Sequence, residues 1–187
     1  MEKEVKNNII GILDKSYKAI LDKDIKLLRD LSNHTLHSAS IAQDPDSISV
    51  AVMVYSFSKI FERNYNEYKD WDKFYSLTKD NLKLSIKYLR KNDSEAYETA
   101  MKNILYGISN LDEKLRDYIQ EVFEEAKINK ASRIYEHGIS LARTAELLGI
   151  TQWELMNYVG TTGISDVPLS RTISIKERMN YARKVFE

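Results

Sequence analysis

Apolar residues recur every three or four positions along most of this chain, and that spacing predicts helices rather than strands. Val5, Ile9, Ile12, Leu13, Tyr17, Ile20 and Leu21 form one face of a first helix from about Glu4 to Leu21. Ile25, Leu28, Leu31, Leu36 and Ala39 continue the pattern in a second, capped by Asp22 or Asp24 and reaching about Ala42. Asp44-Pro45-Asp46-Ser47 interrupts it: proline disfavours helical geometry at Asp44, while Asp46 or Ser47 can cap the next helix. The run from Ile48 to Tyr55 has the look of a buried strand. Phe57, Ile60 and Phe61 restore a helical period, however, so the segment is expected to be the most buried helix. Trp71, Phe74, Leu77, Leu82, Leu84, Ile86 and Leu89 mark a fourth helix, ending at Arg90-Lys91-Asn92-Asp93. Asp93 then caps a long fifth helix running from Tyr97 to Phe123, which Gly107 and Ser109-Asn110 are placed to kink or divide.

From Gly138 the pattern changes to two short helices. Ser140 precedes the first, and Thr151 precedes the second with Glu154 three residues on, a capping box. Between them Gly149 suits a turn that needs positive φ, and Ala145 is small enough for one helix to pass over the other. Leu148, Ile150, Leu155 and Val159 supply the inward side. The pattern predicts a helix-turn-helix at 131–164.

The run from Arg133 through Ile164 carries Ile139-Ser140-Leu141, Ala145-Glu146-Leu147-Leu148-Gly149-Ile150 and Trp153-Glu154-Leu155. It resembles the small prokaryotic, mostly archaeal, antitoxin-like helix-turn-helix proteins. The resemblance implies a place in a toxin–antitoxin module and contact with double-stranded DNA or a toxin-type protein. This chain departs from that group in its large helical N-terminal region.

If the module reads DNA, base edges call for Arg, Lys, Asn or Gln on its second helix. That helix offers Thr151, Gln152 and Asn157, with Glu154 its only charge. Arg143, and Arg178 and Arg183 downstream, are the phosphate contacts such a reading requires, and Trp153 serves equally as an anchor for a protein partner. One small module buries too little DNA for high affinity, so a homodimer is expected. Beyond the module, Ser174-Ile175-Lys176-Glu177 forms a further capping box and opens a terminal helix faced with Ile175, Met179, Ala182 and Val185 or Phe186.

The expected fold is therefore all-α: a helical bundle over 1–126, then 127–187 with the helix-turn-helix and terminal helix. The boundary is placed where apolar density drops, at Lys127-Ile128-Asn129-Lys130, in a linker expected to be helical. Composition fits this picture. Two prolines and six glycines in 187 residues are too few for the turns of a sheet protein. Cysteine is absent, which excludes disulfides, thiolate metal sites and a cysteine nucleophile. No apolar run approaches a bilayer's thickness and the N-terminus is not signal-like, so a cytoplasmic protein without membrane contact is expected. Lys plus Arg and Asp plus Glu balance at 28 each, with a small basic excess after residue 126. That tilt has the sign of a nucleic-acid-binding tail.

One constellation suggests catalysis. Arg29, four residues and His34 match the loose signature of the HEPN ribonucleases, helical bundles that cleave RNA without metal at a dimer interface. His34 would act as general base on a 2′-hydroxyl and Arg29 would steady the developing phosphorane. Five residues on a straight helix separate two side chains by about 140°, so a bend or a second chain is needed to aim both at one phosphate. His34, His37 and Asp30 share a face but lack an identifiable fourth ligand, so neither metal nor cofactor is expected. A non-enzymatic regulator or antitoxin-like adaptor is the leading expectation, and the ribonuclease is the alternative.

Overall fold

The computed structural model describes residues 3–42, 44–62 and 68–162, and the chain is all-α. Eight helices follow one another among these residues: α1 (Lys3–Asp22), α2 (Ile25–Ala42), α3 (Pro45–Glu62), α4 (Trp71–Arg90), α5 (Ser94–Ile108), α6 (Glu113–Glu136), α7 (Leu141–Leu148) and α8 (Gln152–Thr162). The terminal helix expected from Ser174 onward, with Arg178 and Arg183, lies outside the described residues. No described helix is long and apolar enough to cross a membrane.

Local chemistry sets the ends of these helices. Asp24 accepts from the Leu27 amide at 2.9 Å to open α2, and Asp93 accepts from the Ala96 amide at 3.0 Å to open α5. At the Pro45 break the cap is Asp44 itself, not Asp46 or Ser47: its carboxylate takes the amides of Asp46 (3.2 Å) and Ser47 (3.0 Å). Pro45 then occupies the first helical position, where a missing N–H costs nothing. The long fifth helix is divided rather than kinked, because α5 stops at Ile108 and α6 begins at Glu113. The junction is tied down by Asp70, whose carboxylate accepts from the Asp112 amide at 3.1 Å and pairs with Lys73 at 2.7 Å. Just before the break, a Cβ at Gly107 would lie 2.5 Å from both methyls of Leu77, so any larger residue there would require the Leu77 side chain to move.

α3 is the central rod. Val50, Ala51, Val52, Met53, Val54, Phe57 and Ile60 are all buried, as expected for a helix that is apolar on every side. Two of its buried hydroxyls are satisfied locally, Ser56 donating to the Val52 carbonyl at 3.0 Å and Ser58 to the Tyr55 carbonyl at 2.7 Å.

Two apolar clusters meet along α3 and α6. The larger joins Ile9, Leu13, Ile20, Leu28, Phe57, Phe74, Leu82, Ile104, Leu115 and Ile119 with their neighbours. The smaller joins Leu36, Ala39, Ile48, Ala51 and Val52 to Ala126, Ala131, Ile134, Leu148, Leu155 and Val159. The short helices are thus seated on the body of the protein, α7 on α3 and α6 and α8 on α6 and α7. α6 runs unbroken through 127–130 and carries both clusters.

Candidate functional site

The turn between α7 and α8 follows from four residues. Ser140 caps α7 by accepting from the Arg143 amide at 3.2 Å. Gly149 closes α7 in the left-handed region (φ +62°), which lets the Ile150 amide return to the Ala145 carbonyl at 3.1 Å. That is the helix stop a glycine serves best. Thr151 and Glu154 then start α8. The Glu154 carboxylate accepts from the Thr151 amide (2.8 Å) and hydroxyl (2.7 Å), and the Thr151 hydroxyl accepts from the Glu154 amide (3.1 Å). These bonds hold the Glu154 carboxyl below its ordinary range. Gly149→Ala is expected to cost about 1 kcal/mol through left-handed backbone strain alone, since a Cβ there meets open space; urea melts of the two proteins check it.

Leu155 (0% exposed) and Val159 fasten α8 to the body of the protein. At 100° per residue the opposite face carries Trp153 and Asn157, with Met156 on its flank, while Gln152 lies near the Leu155–Val159 stripe at the first position of the helix; all four are exposed. Trp153 is 69% exposed and Met156 56% exposed, two large apolar side chains one turn apart and turned to solvent. α8 contains no Lys or Arg.

The predicted residues therefore divide. Trp153 and Asn157, four residues apart, come together on one exposed surface, whereas Gln152 is exposed about 140° around the helix from Asn157. Thr151 is exposed at its edge but is occupied by its cap. Arg143 stands on α7 and donates to Glu146 at 2.8 Å. Met156 belongs to the surface but does not stand out in the sequence, because methionine at helical spacing reads equally well as core.

The catalytic-looking pair on α2 sits elsewhere. The Arg29 guanidinium bonds Glu62 of α3, which raises the arginine's pKa and lowers that of the glutamate, and the buried Arg29 Nε has no hydrogen-bond partner among the described residues. The His34 side chain is exposed. His37, one turn on, meets His137 at the end of α6 with ring centroids 5.1 Å apart. Among the described residues no group of three or more His, Asp or Glu is gathered as a metal would require.

Sequence reading misses one group entirely. Lys130 is 1% exposed. Its Nζ donates to Asn33 Oδ1 at 3.0 Å and lies 3.9 Å from the centre of the Tyr55 ring. Loss of hydration, reinforced by Arg133, pulls its amine down to about 8. The signal is present: Ala126, Lys130 and Ile134 lie four residues apart on the buried stripe of α6, but low apolar density makes 127–130 look like a linker.

Comparison with known proteins gives no match: no family model, no curated protein and no solved structure matches this chain.

Proposed function

We propose that the chain is a helix-turn-helix regulatory or antitoxin-like adaptor whose outward α8 face docks on a protein partner. The observation that carries this reading is the pair Trp153 and Met156, exposed together on a helix without a single basic side chain. Double-stranded DNA demands phosphate neutralisation, which supplies most of the non-specific affinity. Here the exposed face offers none; Lys127 of α6, which acts on Glu154, is paired with Glu124, and Arg143 is paired with Glu146. An exposed tryptophan beside a methionine is the kind of anchor that fills a partner's apolar pocket. The reading carries with it a cytoplasmic setting and a homodimer.

The ribonuclease alternative asks Arg29 to steady a phosphorane, and that guanidinium is committed to Glu62 within the chain.

The test is co-purification with the products of adjacent genes, run beside a low-salt mobility shift on duplex DNA. A stoichiometric protein complex is expected, weakened about thirtyfold or more by Trp153→Ala, as for an anchor worth about 2 kcal/mol. Arg143→Ala should leave it intact. A low-salt DNA shift that Arg143→Ala weakens and Trp153→Ala does not would replace this reading with DNA recognition.

A further inference from the structure

Lysine is almost never fully buried without a counter-ion. Lys130 is such a case, with one amide oxygen and one aromatic face around its ammonium and no carboxylate within ion-pair distance among the described residues. An ammonium has three N–H donors, and among the described residues only one finds an acceptor. A desolvated cation left in this condition raises the potential of its surroundings, because little water screens it.

The ring that carries this ammonium also walls a cleft. Tyr55 and Lys59 of α3, Val122, Glu125 and Asn129 of α6 and Tyr158 of α8 enclose about 430 Å³, within the range of about 300–1,000 Å³ usual for small-molecule sites. The cleft has an apolar side at Val122 and the two phenol rings. Its polar side is mainly a set of donors. The Asn129 amide already orients the Tyr158 hydroxyl, donating to it at 3.2 Å. Lys59 is only loosely held by Glu62, at 3.7 Å, since that carboxylate's principal partner is Arg29. Against this stand two acids, Glu125, which is exposed, and Glu62, which is shared between Lys59 and Arg29; both act on the Tyr55 phenol.

We propose that this cleft binds a small organic monocarboxylate. Its flat or short apolar body would rest against Val122 and the Tyr55 and Tyr158 rings, and its carboxylate would face Lys59 within the field of Lys130. The ligand supplies the negative charge that the Lys130 surroundings lack. A neutral ligand of the same shape would gain the apolar contacts alone. Because Tyr158 belongs to α8, occupancy would also brace the helix that presents Trp153. That consequence rests on the partner reading, whereas the binding site does not.

The experiment titrates the full-length protein with benzoate, and separately with neutral benzamide, following backbone amide NMR signals. Benzoate is expected to shift the signals of Tyr55, Asn129 and Tyr158 saturably and to bind about tenfold tighter than benzamide. Lys130→Met keeps the side-chain length and should weaken benzoate about tenfold while sparing benzamide. Between about pH 7 and about pH 9.5 the benzoate affinity of the wild type should fall similarly as Lys130 loses its proton. Arg29, Lys59, Arg133, Glu62, Glu125, Tyr158 and Tyr55, whose phenol is raised by its own desolvation, are the other titratable groups around the site, so the fall should be absent in Lys130→Met. Trp153→Ala should leave benzoate binding unchanged even if it abolishes partner binding. Equal affinity for the two probes, unchanged benzoate binding in Lys130→Met, or no perturbation at the three signals with millimolar benzoate would overturn the site.

Discussion

Lys130→Met should stabilise the protein by about 3 kcal/mol at neutral pH, a gain that fades as the solution is made alkaline. In the folded chain the amine falls from its ordinary 10.5 to about 8, chiefly because burial removes its hydration. At about 1.4 kcal/mol per pKa unit that shift is worth roughly 3 kcal/mol against the native state. The sign follows from proton counting. Below pH 8 both folded and unfolded lysine are charged, and the burial penalty is present in full. Between pH 8 and 10.5 the unfolded chain binds more protons, so wild-type stability rises with pH at this residue. Methionine fills the same volume without charge, and buried charges replaced by apolar groups commonly return about 1–4 kcal/mol. Asn33 is exposed and can turn its freed oxygen to water. Urea unfolding at three pH values would show the two curves converging near pH 10.5. A variant less stable than wild type at neutral pH, or a gap that ignores pH, would mean that Lys130 is held by more than Asn33 and Tyr55.

Leu155→Ala should act in the opposite direction, costing about 2–5 kcal/mol. Leu155 has no exposed surface and belongs to the smaller cluster with Leu148, Val159, Ile134 and Ala126. Truncation leaves a hole on the underside of α8, which is short and relies on that face to stay seated. Hydrogen exchange at 152–162 should accelerate well before that of α3, whose buried residues span both clusters. Equal acceleration in the two helices would show that α8 unfolds only with the whole molecule.

The contrast between these two residues shows what a linear reading can reach. Leu155 reads as inward from its place after Thr151 and Glu154, because apolar spacing and capping residues both report on a single helix. The Ser140 and Thr151 caps and the left-handed Gly149 are legible for the same reason: each bond spans a few residues. At the Pro45 break the pattern favours Asp46 or Ser47 over Asp44, a local ambiguity that side-chain geometry resolves. The division of the long fifth helix at 109–112 stands open in the sequence. Turn-forming residues permit a break there, but the Asp70 carboxylate reaching Asp112 from forty-two residues away secures it.

Lys130, Tyr55 and Asn33 are illegible for a different reason. Lysine in a stretch of low apolar density reads as solvated surface, and its burial depends on α2 and α3 arriving from the other half of the chain. The Lys130–Asn33 bond alone spans ninety-seven positions. Arg29 is legible as a cation but not as Glu62's partner.

The chain's periodicity and its capping residues by themselves determined an all-α protein, the order of its helices and the turn at Gly149, since hydrogen bonds and amphipathic faces within a helix are short-range. Which charges are buried, which cations are already paired and which apolar side chains remain in water were decided only when α2, α3, α6 and α8 packed together. Desolvation is a property of the neighbours a side chain acquires, and those neighbours are distant in sequence.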